Sequence, residues 1–215
     1  MAGARARDEG QTFPIYVVAV AGLLFAALAF VVVGMAGATR SDAQGAADAA
    51  ALAAAQEARD NAFEGIDLLT LTQGDWEKFL TGDRLIGFGA CSKAHDFAAM
   101  NNSTATCEAN IPEFAVSVTT NDTVGDTVIP GSEAVHGKAA AKAVIEPRCT
   151  LKSAPSPSPS PTPSPSAPPG GGGGAGTPPS VEFRCKGGVA ITFDPTKPGS
   201  LTQLARKLFS VRLAG

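Results

Sequence analysis

One stretch narrows the options for this chain more than any other. Phe13 to Ala38 is a 26-residue apolar run without a single charged side chain. Wound as an α-helix it is roughly 39 Å long, against a bilayer hydrocarbon core of roughly 30 Å. The apolar region of a secretory signal is usually only about 7–15 residues, so the run reads as a retained membrane helix over residues 12–38. It follows a short polar leader, residues 1–11. The lipid bilayer is therefore the first partner the sequence implies. Pro14 falls in the first helical turn, where its missing N–H costs nothing. Gly22 with Ala26, and Gly34 with Ala38, place small residues one turn apart, which lets a second helix approach closely. In a chain this rich in Gly and Ala, composition explains each pair equally well.

The leader holds Arg5 and Arg7, whereas Arg40 is the first basic residue beyond the run. This asymmetry favours a cytoplasmic N-terminus and a single-pass protein of the cell membrane with everything after Ala38 outside. Cysteine usage agrees. Cys91, Cys107, Cys149 and Cys185 are even in number and lack C-x-x-C spacing, so a pair of disulfides in an oxidising exterior is the expectation. A competing processing option is the A-x-A match Ala36-Gly37-Ala38, which would release a secreted protein. The length of the apolar run argues against it.

After the run the chain turns to alanine. Thr39 to Glu64 contains no Pro, and Ala46 to Ala55 are alanine except for Asp48 and Leu52. Alanine has the best intrinsic helix propensity, so a second helix is expected here, stopped by Gly65 and able to continue the first as one rod. Its small side chains give a smooth flank that can lie against a sheet or another rod, and Ala46, Asp48, Ala50 and Leu52 mark it as a candidate contact surface, next to Arg40.

The leader, Gly10-Gln11, the apolar helix and the phrase Ser41-Asp42-Ala43-Gln44-Gly45-Ala46-Ala47-Asp48-Ala49-Ala50-Ala51-Leu52-Ala53 together resemble the Flp pilus-assembly TadE/TadG-like family, over about the first quarter of the chain. The resemblance implies a bitopic component of a Tad/Flp-type pilus assembly or secretion apparatus, with pilin-like or other Tad-apparatus proteins as partners. In the related TadE-type pseudopilins a prepilin peptidase cuts after a Gly, with Glu and Tyr at the fifth and sixth positions beyond. After Gly10, with Gln11 next, those positions hold Ile15 and Tyr16, so Tyr16 matches and Ile15 departs. Cleavage at Gly10 stays open on this ground.

The remaining chain, residues 39–215, reads as an extracytoplasmic α+β domain: the Ala-rich helix packed on a small antiparallel sheet, with a C-terminal hairpin and helix. Asp75 is placed to cap a short helix whose Trp76, Phe79 and Leu80 share a face. Gly82, Gly87 and Gly89 then interrupt the chain, and Cys91 and Cys107 bracket a polar excursion. Phe114, Val116 and Val118 alternate as in a half-buried strand, and Thr127-Val128-Ile129 suits another. Val135 to Ile145 fits helix or strand. Gly137 and the low side-chain bulk favour a strand pressed on the Ala-rich helix, with Val135, Gly137, Ala139, Ala141, Ala143 and Ile145 inward. Residues 154–180 are low complexity, Pro/Ser then Gly, expected as polyproline II followed by flexible coil.

The last 35 residues are too few for a separate domain. Val181, Phe183 and Cys185 alternate, as do Val189, Ile191 and Phe193. A two-residue turn would put the two sets on opposite faces, whereas a three-residue turn, Lys186-Gly187-Gly188, pairs Cys185 with Val189 and puts all six on one face. The buried face selects the second. Ser200 is expected to cap a final helix, with Gln203 as its box partner and a stripe of Leu201, Leu204, Leu208 and Val211. Such a hairpin must bury itself against the earlier strands, which makes the Pro/Gly stretch an insertion in one domain. A Cys149–Cys185 bridge clamps the base of that insertion and leaves Cys91 for Cys107.

Chemistry is harder to find. His95 and His136 lack neighbouring carboxylates or thiols at metal-ligand spacing. No nucleophile elbow, phosphate loop or calcium loop is present. Catalytic residues, cofactors, metals and a small-molecule substrate are not expected. A net charge of −3 gives no footprint for nucleic acid. The tail from Val181 carries six basic and two acidic residues, which suits a solvated face. The expectation is therefore association, not enzymatic catalysis; the alternative is a membrane-tethered binding module or adhesin unrelated to pili.

Overall fold

The computed structural model describes residues 12–125, 132–154 and 180–214. The leader with Gly10 and Gln11, the Thr127–Ile129 strand and nearly all of the low-complexity stretch lie outside the described residues.

The apolar run and the alanine segment form one unbroken helix, α1 (Thr12–Asp60). Its 49 residues extend about 73 Å. It ends at Asp60, four residues before the expected Glu64, and turns carry the chain to Gly65 at φ +72°. Three more helices follow, α2 (Gln73–Thr81), α3 (Ala90–Met100) and α4 (Leu201–Leu208). Among the described residues seven strands build the head: β1 (Ser103–Asn110), β2 (Glu113–Thr123), β3 (His136–Pro147), β4 (Cys149–Ser153), β5 (Val181–Cys185), β6 (Ala190–Phe193) and β7 (Phe209–Ala214). They build two antiparallel sheets, β1-β2-β3-β7 and β4-β5-β6. The fold is α+β, as the pattern of the sequence implies.

The four-stranded sheet packs on the upper half of α1. Phe114, Val116 and Val118 of β2 and Ala141, Ala143 and Ile145 of β3 are buried on that face, while Ser117, Lys138, Ala140 and Lys142 face solvent. Both α1 and α3 lie against the sheet and against each other. The α1–α3 contact is made of small residues: Ala90, Ala94 and Ala98, one turn apart along α3, are fully buried. Short side chains allow such close helix packing, at the cost of little apolar area per residue.

Larger side chains fill the far end of the head. Trp76 and Phe79 of α2 meet Phe63, Phe183, Phe193 and Phe209, with ring centroids 4.6 to 6.3 Å apart. These separations and their mainly edge-on tilts are favourable for aromatic pairs.

Several expectations need correction. Thr72, not Asp75, is the N-cap of α2. Thr72 Oγ1 accepts from the Asp75 N–H, and the Asp75 carboxylate accepts from the Thr72 N–H, so Asp75 is the box partner three residues on. The span between Cys91 and Cys107 is no polar excursion, for it holds most of α3 and the start of β1. Val135 precedes β3 and is exposed. The C-terminal hairpin has the expected three-residue turn, with the Cys185 N–H bonded to the Val189 carbonyl and Gly187 and Gly188 at positive φ. Val189, however, is exposed, and the hairpin joins β4 in its own sheet over the aromatic cluster instead of extending the earlier one. Ser200 does cap α4, its hydroxyl accepting the Gln203 N–H. Val211 belongs to β7, which leaves the helix after Leu208 and pairs with β3.

Candidate assembly surfaces

Helix α1 changes its surroundings halfway along. From Phe13 to Met35 its large side chains are bare: Phe30 is 81% exposed and Phe25 74%. Soluble proteins rarely leave so long an apolar column in water. By length and composition this part is able to cross a membrane, and no part of its most apolar window is covered by the rest of the chain. Gly22, Gly34 and Gly37 have open space beside them, so the small-residue pairs flank free helix surface. Tyr16 and Ile15 sit exposed near the start.

Above Thr39 the same helix is enclosed. Ala43, Ala46, Ala47, Ala50, Ala51, Ala54, Ala55 and Ala58 are buried in the head. Of the two neighbours such a flank could take, the chain's own sheet is one it meets: Ala46 and Ala50 face this chain's core, and of the four flank residues Asp48 and Leu52 stay partly exposed. The Asp48 carboxylate accepts a 2.8 Å hydrogen bond from the Gln44 amide. Arg40 stays exposed at the changeover.

Two close approaches fix where the head meets the helix. Gly137 of β3 lies so near Thr39 that an added Cβ would overlap the Thr39 carbonyl oxygen and crowd its methyl at 3.0 Å. One turn lower, Met35 reaches Gly125 after β2. Beside this junction a polar cavity of about 450 Å³ is lined by Thr39, Ser41, Asp42, Asn101, Asn102 and Asp122, among others. Asn102 donates to the Asp122 carboxylate at 2.6 Å and accepts from Asn121, which closes the floor of the head with side-chain amides.

The opposite end carries a small apolar hollow lined by Asn61, Glu64, Gly65, Ile86 and Phe88. Phe88 is 69% exposed. Nearby, Asp60 receives hydrogen bonds from Arg206 of α4 and from Arg59. Burial raises its pKa, but the two guanidiniums outweigh that and hold the carboxyl below its ordinary value.

The cysteines form two bridges, Cys91 to Cys107 and Cys149 to Cys185. The first ties α3 to β1. The second joins directly opposed residues of β4 and β5. Among the described residues no three His, Cys, Asp or Glu side chains gather as metal ligands. His136 Nδ1 lies 2.8 Å from the Thr120 carbonyl, a structural contact of the strand end, and His95 is exposed on α3. Sequence reading passed over Ile86 and Phe88. Their signal was present, as two large apolar residues set among glycines where nothing periodic could bury them.

A helix of membrane length that carries a disulfide-linked α+β head defines the class of the molecule. Residues 10–57 match the model of the Tad family, described as "Putative Flp pilus-assembly TadE/G-like". The match takes in the bare half of α1 and most of its enclosed half. No curated protein and no solved structure matches the chain. The matched span and the membrane-length helix together support a pilus-related membrane protein.

Proposed function

We propose that the chain is a bitopic component of a Tad/Flp-type pilus assembly or secretion apparatus, acting by association and not by catalysis. The observation that carries this reading is the family match over residues 10–57, which overlaps the helix that, among the described residues, is long and apolar enough to cross a membrane. The leader stays in the cytoplasm and the head stands outside, where its two bridges are stable. The bare half of α1 meets lipid and pilin-like helices, with Gly22, Gly34 and Gly37 offering places for close approach. The head makes the specific contacts, and the Phe88 hollow at its far end is the surface assigned to a protein partner. A prepilin peptidase acting after Gly10 remains part of the proposal.

Co-purification at native expression tests it. Apparatus components should come down with the tagged full-length protein, and Phe88→Ser with Ile86→Ser should weaken their recovery without loss of either disulfide. A clean absence of such partners from the wild-type protein overturns the pilus reading and leaves a tethered binding module. N-terminal sequencing of the mature protein separates the processing routes: a start at Gln11, at Thr39 or at the translated terminus.

A further inference from the structure

The lower end of the head lies level with the last turns of the apolar run. Gly137 is pressed on Thr39, Gly125 lies beside Met35, and Asn101 and Asn102 share a cavity wall with Thr39, Ser41 and Asp42. If the bare helix spans lipid, the head is too close to stand clear of it. Phe13 to Gly34 already measure about 33 Å, enough for a hydrocarbon core of roughly 30 Å. The floor of the head then falls at headgroup depth.

Two large exposed apolar residues adjoin that floor in the chain. Met100, which precedes Asn101, is 78% exposed, and Val135, which precedes His136, is 51% exposed. Val135 is held at this level by its carbonyl, which accepts from the Val124 N–H. Around them the floor is polar, with Arg40 exposed and Asp42, Asn101, Asn102 and Asp122 lining the cavity. Apolar side chains set in a polar, mixed-charge rim suit the boundary between headgroups and acyl chains. Phe88 and Ile86 are also exposed, but they sit beside Asn61 and Gly65, about 30 Å further along the helix axis, beyond the reach of lipid.

We propose that the floor of the head is a lipid-contacting surface, in which Met100 and Val135 enter the upper acyl layer and Arg40 meets the phosphates. The partner is the phospholipid surface around the helix, and the contact is continuous with the helix's own lipid face. The inference rests on the reading of α1 as a membrane helix.

Full-length protein in phosphatidylcholine–phosphatidylglycerol vesicles provides the test. Single fluorescent labels are placed through Met100→Cys, Val135→Cys, Phe88→Cys and Leu24→Cys, with both native bridges verified by peptide mapping. Lipids bearing a nitroxide high on the acyl chain should quench the labels at 100 and 135 several-fold more than the label at 88. If 100 and 135 behave like 88 while 24 is quenched by lipid, the seat is wrong and the membrane helix stands. If 24 is also unquenched, the membrane reading falls and the seat with it. In the unsubstituted protein, a photoactivatable group in the upper acyl chain should attach to peptides holding Met100 or Val135 and spare the peptide holding Phe88. Equal labelling of all three overturns the proposal.

Discussion

Asp60 closes α1 and ties it to α4, a helix that begins only at Leu201. Its carboxyl is held below the ordinary value because the Arg206 and Arg59 hydrogen bonds outweigh the opposing effect of burial. A depressed carboxyl stabilises the fold above the unfolded value of roughly 3.9 and loses that contribution as pH falls through the lower folded value. Thermal melting of the detergent-solubilised protein should therefore drop on acidification below about pH 4. Asp60→Asn should melt lower at neutral pH, by at most about 1 kcal/mol for so exposed an arginine, and lose less on acidification. Equal pH profiles for the two proteins would remove Asp60 from the account. Nothing local in the sequence pairs Asp60 with Arg206, whereas the Thr72–Asp75 box can be read by eye. Even there residue type alone does not name the cap, because both Thr and Asp serve as N-caps and only backbone geometry decides between them.

Among elements, the junction of α1 with β3 is the one that least tolerates a larger residue. Gly137→Ala would drive a methyl into the Thr39 backbone, which cannot rotate away. The expected loss is about 1–3 kcal/mol, seen as a lower melting temperature of the head. Gly45→Ala, on the same helix six residues above Thr39 with open space around it, should be neutral or gain roughly 0.5–1 kcal/mol. If both substitutions have the same effect, close approach does not govern this site. The pairing of an alanine helix with a low-bulk strand was legible because both show as composition. Helix α3 was not, since its buried stripe is only Ala90, Ala94 and Ala98, and alanine adds little to an apolar periodicity. Strand β7 was hidden differently. Leu201, Leu204, Leu208 and Val211 keep helical spacing across the break, and only the alternation of Phe209, Val211 and Leu213 marks the change of period. The assembly surfaces divide likewise: a bare helix is written in hydropathy, but which alanines stay open to a partner depends on a sheet that closes from elsewhere in the chain.

At the scale of the whole molecule, β4 and β5 pair across the low-complexity stretch, with Cys149 opposite Cys185 and Ser153 opposite Glu182. Replacing residues 155–179 by a short Gly/Ser link should therefore leave the head folded, with both bridges formed and stability unchanged or raised by about 1 kcal/mol through easier closure of a shorter loop. Disulfide mapping and a melting curve check this, and failure to form Cys149–Cys185 would show that the stretch is needed to fold the pair. The apolar run and the alanine segment also meet without any break, and the head grips the upper part through β3 at Gly137. Such a construction has no swivel. A turn of the lower column about its own axis, imposed by a neighbouring helix, must sweep the head through the same angle, so lateral packing below dictates which way each head points above.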